Sequence, residues 1–231
     1  MKTVNYNGTL INVSRKDHYY HRWPESPKEP YTYKIFDKFT DDKTVCLDIG
    51  ACRGVTTLYL AKRCKVVYAI EPDPVALEDI SANIAVNDIT NVILIDKCLS
   101  DVSGPKLFGG NGPLGNSESS VFVNTGTKSL VTVDGITIDQ LLVMHPGILE
   151  CSFIKIDIEG SEKIVIPAMK NYLSEHRPTV YISFHTRYGI ITKEEERETA
   201  GVLKSIYPHV YDIDLNRSDG NYIGECMVFC A

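Results

Sequence analysis

From Thr44 onward the chain settles into a regular order of apolar patterns. "TVCLDIG" is a short continuous apolar run and reads as a buried strand. "GVTTLYLAKRC" follows, with Val55, Leu58, Leu60 and Ala61 forming one helical face. "KVVYAIEP" is a second strand, and "DPVALEDISANIAVN" a second helix. There Asp73 is placed to cap the helix and Pro74 suits its first turn. "NVILID" is a third strand. This alternation predicts a parallel sheet with right-handed crossovers. Two more strand–helix pairs follow: "FIKIDIEG" with "SEKIVIPAMKNYL", and "PTVYISFH" with "KEEERETAGVLKSI".

The flanks differ in character. "TVNYNGTLINVS" alternates around Asn7-Gly8, a hairpin signal. "DHYYHRWPESPKEP" holds three prolines, which exclude a regular helix. "YTYKIFDKFT" returns to helical spacing through Tyr31, Ile35, Phe36 and Phe39. In the middle, "LFGGNGPLGNSESS" predicts a loop. "VFVNTGTKSLVTVDGITIDQLL" predicts extended segments leading into a helix near Ile138. The end, "HVYDIDLNRSDGNYIGECMVFCA", predicts an antiparallel hairpin around Asp-Gly. With no repeat or linker, we expect an N-terminal extension, residues 1–40, packed on one domain, residues 41–231.

Composition narrows the partners. The 231 residues suffice for one α/β domain, and a 43% hydrophobic fraction supports a core. Lys and Arg total 24 against 30 acids, a net charge of -6, and no basic block interleaves with aromatics. This argues against a nucleic-acid partner. The 7 cysteines contain no CxxC pair, so neither a zinc ribbon nor a thioredoxin-like motif is supported. Cys46, Cys52, Cys64, Cys98 and Cys151 lie in or beside apolar runs and read as buried free thiols, pointing to a reducing compartment. The N-terminus lacks an apolar signal region, and nowhere do about 18 apolar residues run together. The expectation is a soluble cytoplasmic protein without stable membrane insertion.

Candidate chemistry begins at "CLDIGACRG". A strand running into Gly50, with a helix opening at Gly54, lets backbone approach a ligand and offers N–H groups to a negative one. Glu71, at the tip of the second strand, is placed to accept both hydroxyls of a ribose. The dinucleotide pattern GxGxxG is broken, because Cys52 stands where its second glycine belongs. Asp48 adds a carboxylate that repels phosphate and welcomes an ammonium group. S-adenosylmethionine carries a ribose and an ammonium and no phosphate, which favours it over NAD.

"LDIGACRGVTTLYLA" resembles the first motif of class I S-adenosylmethionine-dependent methyltransferases, and more specifically the FkbM-type branch, whose turn usually reads D-x-G-A-N-x-G. "EPDPVALEDISANIAVN", "CLSDVSG", "VTVDGITIDQLL" and "FIKIDIEGSEKIVIPAM" extend the match from about Glu29 to about His185. Cys52 departs from the usual Asn, and Ser183 from a frequent Glu. The resemblance implies a Rossmann-like, doubly wound α/β fold: a mostly parallel seven-stranded sheet with a C-terminal antiparallel hairpin. It also implies that Asp48, Gly50, Ala51 and Gly54 cradle the methionine end. Thr56 would bond the carboxylate, Glu71 the ribose, and backbone near Cys98 the adenine. Asp96 and Lys97 read as surface residues.

For the transfer step, Lys155, Asp157 and Glu159 alternate and so share a face of the strand, and Lys155 needs a partner, for which Asp157 is the nearest in sequence. A structural ion pair, with Glu159 and Glu162 capping the next helix, is the competing reading. His185, at the following strand's end, titrates near neutrality and can accept a hydroxyl proton; Asp157 is the alternative base. Mg²⁺ on Asp157, Glu159 and His185 is a further possibility. The aromatic segment with Tyr19, Tyr20, Trp23 and Tyr31, and the loop at 109–120, can cover a small-molecule substrate or simply pack on the domain. His18 and His21 are weak ligand candidates. The leading expectation is O-methylation of a small-molecule or sugar-like hydroxyl. N-methylation, a non-catalytic nucleoside-binding protein and an NAD oxidoreductase are the rivals.

Overall fold

The computed structural model describes residues 2–23, 27, 29–122, 127–185, 191–218 and 226–231. The chain opens with β1 (Lys2–Tyr6), β2 (Thr9–Val13) and α1 (Pro30–Phe39). It continues through β3 (Val45–Ile49), α2 (Val55–Ala61), β4 (Val66–Ile70), α3 (Pro74–Val86) and β5 (Val92–Ile95). Next come β6 (Cys98–Leu99), β7 (Gly104–Gly110), β8 (Ser129–Ile136) and α4 (Ile138–Met144). β9 (Phe153–Ile156), α5 (Glu162–Ala168), α6 (Lys170–His176), β10 (Thr179–Ser183) and α7 (Lys193–Lys204) follow. β11 (His209–Tyr211), β12 (Arg217–Ser218) and β13 (Cys226–Cys230) close the chain.

The central sheet has the order β12-β11-β13-β10-β9-β3-β4-β5. β10, β9, β3, β4 and β5 run parallel, and β13 lies antiparallel between β10 and β11. Alternation along β3 explains the two layers. Val45, Leu47 and Ile49 enter the core shared with α4, α5, α6 and α7, while Cys46 turns to the core shared with α1, α2 and the β1–β2 hairpin. Helices on both faces of a parallel sheet make a doubly wound fold.

The signals with a local cause hold in detail. The hairpin turns at Asn7 (φ 48°) and Gly8 (φ 86°), which suits the twist of its strands. Asp73 caps α3 by accepting from the N–H groups of Val75 and Ala76. Three expectations are corrected. β12 adds an eighth strand, because Asp212 accepts from the N–H groups of Asp214 and Asn216 and closes a tight turn that pairs Tyr211 with Arg217. The terminal Asp-Gly turn lies outside the described residues, while the antiparallel pairing expected at the end is present, with β13 between β11 and β10. The Gly-rich segment begins as a strand: β7 pairs antiparallel with β8, and a Cβ at Gly109 would stand 1.9 Å from the Ser129 carbonyl oxygen. Glycine there permits close strand pairing, not a bend. The helix expected over 161–173 divides into α5 and α6 at Met169, two residues after the internal Pro167.

The N-terminal segment is tied to the sheet domain. Ser14 and Asn12 donate backbone N–H groups to the side chains of Asn83 and Asn87 on α3. All seven cysteines are unpaired, and five of them are buried. Among the described residues, no helix is long and apolar enough to cross a membrane.

Candidate active site

A cleft opens where the carboxyl ends of β3, β4 and β9 meet, and the turn from Gly50 to Gly54 forms its floor. Gly50 and Gly54 have φ of 84° and 87°. A Cβ at Gly50 would fall 2.0 Å from the Asp157 carbonyl oxygen, and one at Gly54 2.6 Å from the Ile80 side chain. The turn's packing therefore demands both glycines before any ligand arrives. Its N–H groups are largely used within the protein, against expectation. Gly50 and Ala51 both donate to the Ile70 carbonyl, at 3.0 and 3.1 Å, and Gly54 donates to Ala51. Ala51 is buried, and it is the backbone of the turn that meets the cleft. Cys52 has φ 48°, a left-handed conformation that Asn tolerates best among residues with side chains, which accounts for the Asn usual in this turn.

Asp48 and Thr56, expected at the methionine end of the ligand, are engaged within the protein. Asp48 is fully buried. Its carboxylate already holds Lys155 Nζ at 3.0 Å and accepts from the hydroxyls of Thr56 (3.0 Å) and Thr57 (2.7 Å). Thr56 reaches the cleft, but its proton is committed to Asp48, so it presents lone pairs rather than a donor for a carboxylate. Lys155 finds Asp48 and the Gly50 carbonyl (2.8 Å) closer than Asp157 (3.7 Å). Burial alone would lower the Lys155 pKa, but the Asp48 and Asp157 carboxylates outweigh it and raise it.

Above the floor lie two adjoining chambers, which share Gly50, Cys52, Ser117 and Asp157. The first, partly open to solvent, is lined by Glu71, Cys98, Leu99, Phe108 and Val121. Glu71 accepts from the N–H groups of Cys52 (2.7 Å) and Asp73 (2.8 Å), and burial still pushes its pKa up to about 7. Of the loop at 109–120 read as a cover, Asn116, Ser117 and Ser119 line this chamber, with Phe108 and Val121 on its flanks. The second chamber is lined by Tyr6, Trp23, Tyr33, Arg53, Thr56 and Lys155. Of the predicted aromatic cover, Trp23 lines it and Tyr19 stacks on Arg53, while Tyr20 and Tyr31 pack against the core. His18 is bound to Asp79 on α3 at 2.7 Å, and His21 stands edge-on to Tyr20. Asp96 is a surface acid as expected, whereas Lys97 pairs with Asp96 and Asp134 and borders the first chamber.

Behind Asp157 sits a cage of acids around His185. Nε2 lies 3.2 Å from Asp157 and 3.4 Å from Glu159, and Nδ1 lies 3.1 Å from Glu162. Burial opposes the charge on the imidazole, but the bonds to Asp157 and Glu162 override it and carry the pKa up to about 11. A protonated His185 has no lone pair for a substrate proton, and it is not among the residues lining either chamber, which speaks against it as the base. For Asp157, burial is overcome by Lys155 and His185, which bring its pKa down to about 2 and make it a weak base. Glu159 differs. Burial, aided by Asp157 and Glu162, raises its pKa to about 7 despite His185, and its buried Oε2 has no hydrogen-bond partner. It lines the first chamber, with its backbone in the left-handed region (φ 51°) after β9 has ended. The ligand atoms of Asp157, Glu159 and His185 lie within 4.8 Å of one another, close enough to surround a divalent ion once His185 gives up its proton. Ser183, the other departure from the motif, bonds Cys226 Sγ at 3.3 Å and is buried.

This architecture matches known proteins. The methyltransferase FkbM domain profile covers residues 48–206. The chain belongs to the FkbM methyltransferase family. Its fold is similar to that of a methyltransferase FkbM from Methylobacillus flagellatus, at 21% identity and a TM-score of 0.54, over 82% of this chain and 44% of that one. It is also similar to a precorrin 8w decarboxylase from Methanobacterium thermoautotrophicum, at 14% identity and a TM-score of 0.52, over 96% of this chain and all of that one. An uncharacterized protein of Methanocaldococcus jannaschii is 35% identical over 60 residues, 26% of this chain and 23% of that protein. The chain thus spans less than half of its solved FkbM relative and under a quarter of that curated protein.

Sequence reasoning passed over Arg53, Glu159 as a base, and the wall formed by Tyr6 and Tyr33. Glu159 carried a signal, two residues after Asp157 at a strand's carboxyl end. Tyr6 carried none, because it lies 44 positions before Gly50 in a hairpin.

Proposed function

We propose that this FkbM methyltransferase moves a methyl group from S-adenosylmethionine to a hydroxyl of a small molecule. One observation carries the reading: a chamber holding Glu71 and Cys98 adjoins an aromatic chamber, and the two meet at Gly50 and Asp157. When bound, the sulfonium supplies an already activated methyl group, as cofactors generally carry the hard chemistry. The protein's part is position and proton management. Glu71 presents carboxylate oxygens to ribose hydroxyls, and Cys98 and Leu99 form a wall for the base. Phe108 and the 116–121 segment keep water from the first chamber. Asp157, held ionised, polarises an acceptor hydroxyl, and Glu159 Oε2 takes its proton. A base with pKa near 7 is matched to that task at neutral pH, and holding the acceptor in line accounts for much of the rate. Seven unpaired thiols support a reducing, cytoplasmic setting.

The test is calorimetric titration with S-adenosylhomocysteine and with NAD, followed by transfer of labelled methyl to paired hydroxyl and amine acceptors. Binding of the nucleoside thioether without NAD, and label on hydroxyls, is expected. Loss of turnover in Glu159→Gln on hydroxyls but not on amines identifies the base. No affinity for either sulfur nucleoside sinks the reading. A second reading rests on the clustering of Asp157, Glu159 and His185: a divalent ion displaces the His185 proton and activates the hydroxyl. Turnover that falls in chelator and returns with Mg²⁺ or Mn²⁺ selects it.

A further inference from the structure

Arg53 is the cation of the cleft that the methyl-transfer reading leaves unused. Its guanidinium lies 4.4 Å over the Tyr19 ring and lines the second chamber. Its Nε and Nη1 are buried without a hydrogen-bond partner. Arg22 approaches the same ring at 5.2 Å and lines the same chamber. Among the described residues, neither arginine meets a carboxylate, although the chain carries a net charge of -6. The acids nearby are engaged elsewhere. Asp17 accepts from Trp23 and Asn83, Glu29, which also lines the chamber, accepts from the Thr32 hydroxyl, Asp48 and Asp157 hold Lys155, and Glu71 accepts two backbone N–H groups.

Buried donors without acceptors carry a desolvation cost, and natural structures keep few of them. A guanidinium with unanswered N–H donors attracts the oxygens of a carboxylate. Tyr19 fixes the plane of the guanidinium, and Asn83 Nδ2 holds the Arg53 carbonyl at 3.3 Å. The neighbouring walls, Tyr6, Trp23 and Tyr33, are aromatic and buried.

We infer that Arg53 is a carboxylate receptor, which anchors an anionic group in the second chamber and thereby sets the distance of the reacting atoms from Gly50 and Asp157. Two molecules can bring the carboxylate: the amino-acid tail of the methyl donor, or the acceptor. The inference rests on the function proposed above, and the experiment separates the two sources.

Wild type, Arg53→Gln and Arg53→Lys are titrated with S-adenosylhomocysteine and with 5′-methylthioadenosine, which keeps the nucleoside and lacks the amino-acid tail. If the tail is the anion, Arg53→Gln weakens S-adenosylhomocysteine at least tenfold and leaves 5′-methylthioadenosine unchanged. Arg53→Lys, with charge but no fork, falls between. If the acceptor is the anion, both nucleosides bind all three proteins alike. Wild type loaded with S-adenosylhomocysteine then prefers benzoate over benzamide at least tenfold, and Arg53→Gln loses that preference. Arg53→Gln behaving as wild type in both arms overturns the inference. Should Arg53→Gln fail to fold, Arg53→Lys carries the same comparison. If wild type binds neither nucleoside, the proposed function fails, and the benzoate arm on the ligand-free protein still decides the role of Arg53.

Discussion

Arg53 lies within the glycine turn and Lys155 bonds the carbonyl of its first glycine, and the two cations are treated in opposite ways. Lys155 is almost wholly buried, and the Gly50 carbonyl, Asp48 and Asp157 surround its ammonium. Arg53 has a ring beneath it and two donors with nothing to bond. A buried charge whose partners are all supplied by the chain is part of the framework. One whose partners are missing waits for a ligand, because leaving it so costs stability that only binding returns.

The largest expected effect tests the framework side. Lys155→Met leaves the buried Asp48 without its counter-charge and Asp157 with His185 alone, and should destabilise the fold by about 3–5 kcal/mol. For a chain of this length, the thermal midpoint should fall by roughly 10 °C. Arg53→Met should shift the midpoint far less. Equal losses in the two variants break the comparison.

His185 extends it to a second framework cation. His185→Gln removes the proton that three carboxylates share and should cost about 1–3 kcal/mol at neutral pH. The linkage has a definite sign. His185 has a folded pKa raised to about 11, so its contribution is complete below pH 6.5 and disappears as pH rises toward 11. Chemical denaturation between pH 6 and 10 should show wild type losing this increment and His185→Gln lacking it from the start.

Glu71 tests the ligand side. Glu71→Ala should weaken S-adenosylhomocysteine by about tenfold to a hundredfold, the range expected for hydrogen bonds to a charged acceptor. Ribose hydroxyls favour the ionised carboxylate, so binding should lower a pKa that stands near 7 in the free protein. Affinity then falls as pH drops below 7, and binding at pH 6.5 releases a proton, measurable as a dependence of the calorimetric heat on the buffer.

The smallest effect concerns the turn itself. Cys52→Asn places a residue tolerant of left-handed backbone at φ 48°, and should raise stability by up to about 1 kcal/mol, without altering the bond from the residue 52 N–H to Glu71. A loss in denaturation midpoint shows that the thiol's packing outweighs the strain.

How far the site was legible depended on the distance between the groups that make it. Glu71 and Cys98 follow consecutive strand ends and could be placed in one chamber from strand order alone. Gly50 and Gly54 were legible as special positions, but their packing reason was not, since the atoms that crowd them, Asp157 and Ile80, are remote in sequence. His185 reached the expected rim and there met three acids, among them Glu162 at the start of α5, which no local signal announced. The strand at Gly104–Gly110 was hidden because its glycines are also loop residues, and only the partner strand shows which use applies.

The sequence by itself determined the order of strands and helices, the hairpin at Asn7-Gly8, the cap at Asp73 and the acid at the second strand's tip. Each depends on neighbours within a few residues, where backbone geometry and apolar spacing leave little choice. Tertiary structure alone decided which charges are consumed and which remain available. Pairing Lys155 with Asp48, protonating His185, tuning Glu159 and leaving Arg53 unanswered all require groups tens of residues apart to share a space from which water is excluded. In that space a charge is governed by the atoms that surround it.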